Sequence, residues 1–119
     1  MRALILTSSL LFALSVNANE ISGEKIYKSS CLFCHGESGM GDGIASKKPE
    51  NYFYPKNLNK TILSEEQIFL VAKHGAYYYG ALKQDMPAWG VRHNDKELRA
   101  VAKYVKDTFK RENIEKQEK

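Results

Sequence analysis

Three stretches of the chain carry apolar residues at helical spacing, and each opens with a start signal. In the first, Ser22 can cap, Glu24 sits in the positively polarised first turn, and Ile21 can staple onto Ile26. This predicts a helix to about Cys34 that stops at Gly36. In the second, Ser64-Glu65-Glu66-Gln67 has the form of a capping box, flanked by Leu63 and Ile68 as the staple. Ile68, Val71 and Ala72 then form one apolar stripe, and Gly75 is the expected stop. In the third, Asn94-Asp95-Lys96-Glu97 is a similar start, followed by Leu98, Val101, Ala102, Val105 and Phe109 at helical spacing. The run from Lys110 to Lys119 is charged and polar, which predicts a solvated, fraying end. The pattern is that of an all-α domain with three or more helices.

The end of the first helix carries the chemistry. Cys31-Leu32-Phe33-Cys34-His35 has the Cys-x-x-Cys-His spacing of a haem attachment site. Two thiols three positions apart share a helical face and can add to the two vinyl groups of one porphyrin. His35 then lies where a ring nitrogen can ligate the iron. Three other uses of the pair compete with this one. A redox dithiol expects a βαβ pattern, which is not visible. A closed zinc site needs four ligands, and the chain has 2 cysteines, with His74 and His93 in no metal-like spacing. A structural disulfide is open to an exported protein.

Export is itself predicted. Met1-Arg2 is a minimal basic start, Ala3 to Val16 is a short apolar run interrupted by serines and Thr7, and Val16-Asn17-Ala18 places small residues at a cleavage site. A membrane-spanning helix wants roughly 20 apolar residues, so residues 1–18 read as a cleavable signal peptide rather than an anchor. Removing them leaves 101 of the 119 residues, 19–119, which is enough for one small domain. The full chain has a net charge of +4, and loss of Arg2 lowers this to +3. The lysines are dispersed and no nucleic-acid motif is present, so nucleic acid is not an expected partner. The membrane is expected to matter only through a membrane-bound partner.

Between the first two helices lies a long irregular stretch, Gly36 to Leu63. A loop of that length normally counts against a compact domain, but a large apolar ring supplies a core that loops can wrap. Gly36, Gly39, Gly41 and Gly43 permit tight turns near such a ring. They follow a helix rather than a strand, and no Gly-Lys-Ser/Thr follows them, so a phosphate loop is not indicated.

A second axial ligand could come from Met40, Met86, His74 or His93. Met40 is five residues beyond His35, and extended chain covers at most ~3.6 Å per residue, too little to pass around a porphyrin edge. Met86 lies in a segment without helical pattern and is followed by Pro87, which stiffens the chain there. Met86 is therefore the favoured ligand. His74 and His93 are expected to pack or to face solvent.

These residues resemble those of the class I monohaem cytochromes c, the small carriers and modules of bacterial oxidases and dehydrogenases. The resemblance covers essentially Gly23 to Phe109. It rests on Gly23-x-x-x-Tyr27, Cys31-x-x-Cys34-His35-Gly36, Tyr54-Pro55-Lys56-Asn57-Leu58, Met86-Pro87-Ala88-Trp89 and Leu98-x-x-Val101-x-x-Tyr104-Val105. It implies the small cytochrome c fold, all-α, with long loops around one covalently bound haem c. It also implies that the first and last helices cross closely, with Gly23 and Tyr27 meeting Tyr104. A proline carbonyl is expected to accept the second ring N–H of the ligand histidine, with Pro55 the candidate and Pro49 its rival. Trp89 is expected in the shell around the iron ligands. Tyr77-Tyr78-Tyr79 has no counterpart in the pattern and is expected to pack near the ring or lie exposed.

The resemblance implies one-electron transfer in the periplasm rather than catalysis, because His35 and Met86 together would saturate the iron. The expected partners are periplasmic redox proteins such as a dehydrogenase or a terminal oxidase, served by a monomer or small subunit. The alternative is a haem-based sensor or weak peroxidase with a displaceable distal ligand. Lys28, Lys47, Lys48, Lys56 and Lys83 are candidates for a loose cationic ring around the docking face.

Overall fold

The computed structural model describes residues 20–47, 55–80 and 86–109, with the side chain of Tyr79 left aside. The predicted signal peptide, Lys48, Pro49, Tyr54, Lys83 and the polar run from residue 110 lie outside the described residues.

The first helix begins where predicted, with the Ser22 hydroxyl accepting from the Lys25 amide. It is not uniform. An α-helical turn, α1 (Gly23–Ile26), passes into a π-helical segment (Tyr27–Cys31) and then into a second α turn, α2 (Leu32–His35). The wider π turn changes the phase of the side chains just before the cysteines. Ile26 and Tyr27 are buried in the core, while Cys31, Cys34 and His35 line a cavity.

The helix stops at Gly36, whose φ of 81° suits a residue without a Cβ. The chain then folds back on the helix end. The Gly41 amide donates to the His35 carbonyl at 2.8 Å and the Gly43 amide to the Cys34 carbonyl at 3.1 Å. Those are helix-terminal acceptors that would otherwise lack partners. Gly41 also has positive φ, and a Cβ there would run into the Pro55 carbonyl oxygen. The glycine run thus ties the loop to the motif helix.

The next helix, α3 (Glu65–His74), has the predicted capping box, Ser64 Oγ accepting from the Gln67 amide and Gln67 Oε1 from the Ser64 amide, and it ends at Gly75. Its predicted stripe of Ile68, Val71 and Ala72 lines the cavity. A second face was not anticipated. Phe69 is buried in the core, with the Arg99 guanidinium 4.0 Å from its ring centroid. The last helix, α4 (Asp95–Phe109), is capped reciprocally by Asn94 and Glu97. All five residues of its predicted stripe are buried.

α4 packs against both α1 and α3, so the core lies along its apolar face. At the α1–α4 crossing Gly23 sits directly on the backbone of Ala100. The Tyr27 ring lies 5.5 Å from that of Tyr104 and 5.1 Å from that of Phe109. The remaining regular structure is short 3₁₀ turns at Ile44–Lys47, Leu58–Lys60, Ala76–Tyr79 and Trp89–Val91. No strand occurs among the described residues. The fold is the small all-α arrangement expected, and no helix among the described residues is long and apolar enough to cross a membrane.

Candidate cofactor-binding site

The three helices and the loops between them enclose a cavity of about 570 Å³. That lies within the usual range for ligand sites, roughly 300–1,000 Å³. α3 contributes Ile68, Val71 and Ala72 to its wall, α4 contributes Val101, Ala102 and Val105, and the loops add Leu58, Leu63, Pro87 and Trp89. Ser30, Lys56 and Thr61 are the main polar side chains in the lining besides the motif residues.

Cys31, Cys34, His35 and Met86 all line this one cavity. The other candidates for a distal ligand do not. Met40 is 51% exposed. His74 stacks on Tyr78 with ring centroids 5.1 Å apart. His93 is held 2.9 Å from Ser30 Oγ. Of the four candidates for a distal ligand, Met86 is the one that lines the cavity. Pro55 and Trp89 line the cavity as well.

The orientation of His35 departs from expectation by one residue. Its Nδ1 lies 3.0 Å from the carbonyl oxygen of Lys56, not of Pro55. Pro55 turns its own carbonyl toward Gly41. The chain runs into the extended backbone of Asn57, and in extended chain successive groups face opposite sides. Only one of two adjacent carbonyls can meet the ring. A carbonyl only accepts, so Nδ1 carries the proton and Nε2 keeps its lone pair. Burial lowers the His35 pKa, with the carbonyl bond acting in the opposite sense. Burial thus favours a neutral imidazole and the carbonyl bond fixes its tautomer, which leaves one free donor nitrogen, the form a metal ligand needs.

Burial pushes the Cys31 thiol up to about 12, the Cys34 charge adding to this, and burial also raises Cys34. As thiols, both stay protonated near neutral pH. A redox dithiol or a thiolate zinc site depends on the reverse shift. No group of three or more metal-binding His, Cys, Asp or Glu occurs among the described residues. Tyr27 supports the motif from behind, its hydroxyl donating to the Gly36 carbonyl at 2.7 Å, and burial pushes its pKa up.

The donor set fits a covalently held haem. Two thiols and an oriented imidazole lie at one end of a helix, and a thioether lies in the same apolar chamber. The site also holds contacts that the sequence did not reveal. Lys56 contributes through its backbone, for which no side-chain signal exists. Ser30 and His93 form a contact 63 residues apart in the chain. Its only local trace is the spacing of His93 and Glu97, four apart at a helix start.

A second, more open groove is lined by Lys28, Phe33, Ile44 and Lys47 together with Glu37 and Asp42. The cationic ring is therefore not continuous among the described residues. Lys56 belongs to the main cavity, Lys28 and Lys47 to this groove, and Lys28 pairs with Glu24 at 2.6 Å.

Residues 18–105 match the family model described as cytochrome c oxidase, cbb3-type, subunit III. No curated protein and no solved structure matches the chain.

Proposed function

The chain belongs to this family of monohaem c-type cytochrome domains, and from that we propose a one-electron carrier, or the electron-accepting subunit of a redox complex, working in the periplasm. Cys31 and Cys34 hold one haem c covalently. His35 ligates the iron through Nε2 and Met86 through its sulfur. When bound, the haem supplies the one-electron couple. The chain would hold that group in an apolar chamber, with His35 and Met86 as the side chains available to its iron. A saturated iron has no place for a substrate, which favours transfer over turnover. The observation that carries this reading is the convergence of Cys31, Cys34, His35 and Met86 on one cavity.

c-type cytochrome domains typically work outside the cytoplasm, and the family match begins at residue 18, beside the predicted cleavage point after Ala18. We assign residues 1–18 to a cleaved signal peptide. Mass spectrometry of protein exported from a bacterial host should find one added haem and loss of residues through about Ala18. The haem should stay with the chain on a denaturing gel. An apo mass two hydrogens short, from a Cys31–Cys34 disulfide, would remove the assignment. An oxidised protein that binds peroxide or cyanide without mutation would favour the sensor or peroxidase alternative.

The family description names a cbb3-type oxidase subunit, which makes a terminal oxidase or its electron donor the leading partner class. Electron transfer needs only a brief encounter, and such interfaces are small. Lys28, Lys47 and Lys56 are exposed, and with Lys48 and Lys83 they would steer an acidic partner. Steering raises association rates and is screened over roughly 8 Å at physiological ionic strength. The second-order rate with the partner should fall as salt rises, and Lys56→Glu should slow it further at low salt. A rate that ignores salt would place docking on apolar contact near Pro87 and Trp89.

A further inference from the structure

One side-chain cluster joins the helix that carries the cysteines to the segment that carries Met86. His93 Nε2 lies 2.9 Å from the hydroxyl of Ser30, the residue just before Cys31. His93 Nδ1 lies 3.4 Å from Glu97 Oε2. The same carboxylate oxygen accepts from the Asn94 amide at 2.9 Å, so Glu97 is fixed by its role as a helix cap. The His93 ring lies beside Trp89, with centroids 6.1 Å apart. The His93 amide donates to the Trp89 carbonyl at 2.9 Å. The ring thus faces the Glu97 carboxylate with Nδ1 and the Ser30 hydroxyl with Nε2, bridging the cap of α4 and the attachment helix.

The serine–histidine–carboxylate order resembles that of a hydrolase triad. Ser30, however, lines the cavity assigned to the cofactor, which leaves no room for a substrate carbonyl. The cluster's position suggests another use. Met86 is tied upstream, where its carbonyl accepts from the Ala76 amide at 3.1 Å. Downstream the chain passes through Pro87, which has no amide hydrogen to donate, and reaches Trp89 three residues later. The His93 cluster links that downstream end to the attachment helix.

Resting on the reading of His35 and Met86 as iron ligands, we propose that His93 is a positioning residue for the distal ligand. Its bond to Ser30 and its contact with Trp89 hold the Met86 segment at a fixed distance from the helix bearing Cys31. A ligand whose segment is less firmly tied spends more time off the iron, and an external ligand then binds in proportion to the open fraction.

The test uses the oxidised, haem-loaded protein. Imidazole is titrated while the far-red charge-transfer band of a methionine–iron bond is followed, and thermal unfolding is recorded alongside. Ser30→Ala removes only the hydroxyl, His93→Phe keeps the ring but not the nitrogens, and His93→Gln returns a hydrogen-bonding group near the position of Nε2. Loss of one net hydrogen bond corresponds to about fivefold tighter imidazole binding in Ser30→Ala and His93→Phe. His93→Gln should stay near wild type, and none of the three should melt far below it. Imidazole affinities unchanged from wild type in Ser30→Ala and His93→Phe, with the wild-type band present, overturn the proposal alone. Affinities that rise equally in all three variants, or only as far as the melting point falls, also overturn it, since that is general loosening. A wild type that lacks the band and binds imidazole freely overturns the Met86 assignment and this proposal together.

Discussion

Met86→Ala is expected to leave the haem on the chain and to open the iron. The exported variant should keep the haem mass, lose the far-red methionine band, bind imidazole and cyanide readily, and show a lower reduction potential. The side chain also packs against the core from the cavity wall. Its truncation should cost about 2 kcal/mol, the low end for a methionine that is not fully buried, or roughly 10 °C in melting temperature for a domain this small. Packing and ligation can be separated. Met86→Leu nearly conserves volume and should cost under about 1.5 kcal/mol, yet it should lose the band as fully as the alanine variant. Met40→Ala should change neither band nor potential, because that side chain is 51% exposed and outside the cavity. A Met86→Leu protein that keeps the methionine band would transfer the ligand role to another residue.

The parts of the site legible in the sequence are those written by local rules. The Ser64–Gln67 and Asn94–Glu97 boxes are fixed by spacing within one turn, and both form as read. The α4 stripe is a single periodicity facing a single core, and every residue named for it is buried. The spacing of Cys31, Cys34 and His35 is local as well, and all three side chains line the one cavity. What stayed hidden depends on a partner far along the chain. The π segment at Tyr27–Cys31 has no composition signal. The family resemblance points to a proline carbonyl, with Pro55 the candidate, for the His35 bond, while the acceptor is the neighbouring Lys56 carbonyl. Backbone acceptors carry no residue signature, so a one-residue error in phase is invisible in the letters. Phe69 lies outside the α3 stripe read from the sequence because α3 faces both the cavity and α4, and its apolar positions do not form one stripe.

Gly23→Ala is expected to destabilise the protein even though it improves helix propensity. Alanine is favoured over glycine within a helix by about 1 kcal/mol. Against that gain, a Cβ at position 23 would press on the Ala100 carbonyl and come within 2.9 Å of Tyr104 Cβ. Neither neighbour is the end of a flexible side chain, so α1 would have to move off α4, at a cost of typically 1–3 kcal/mol or more for overpacking. The clash should win by a margin that grows with residue size, and Gly23→Val should be worse than Gly23→Ala. Tyr104→Ala attacks the same crossing from the other side. It removes the ring 5.5 Å from Tyr27 and should cost about 3 kcal/mol, or more than 10 °C in melting temperature. The two substitutions disturb one crossing, and once α1 has been pushed off α4 the Tyr104 ring has less contact left to lose, so their effects should be less than additive in the double variant. Thermal unfolding followed by circular dichroism on the four proteins of this cycle decides the matter. A Gly23→Ala variant that melts at or above wild type would mean that the crossing is not closely packed. The functional consequence follows from geometry. α1 leads directly into Cys31, Cys34 and His35, and α4 supplies Val101, Ala102 and Val105 to the opposite wall of the same cavity. A wedge at Gly23 therefore acts on the width of the haem chamber, and variants that loosen the crossing should also weaken the methionine band before they unfold.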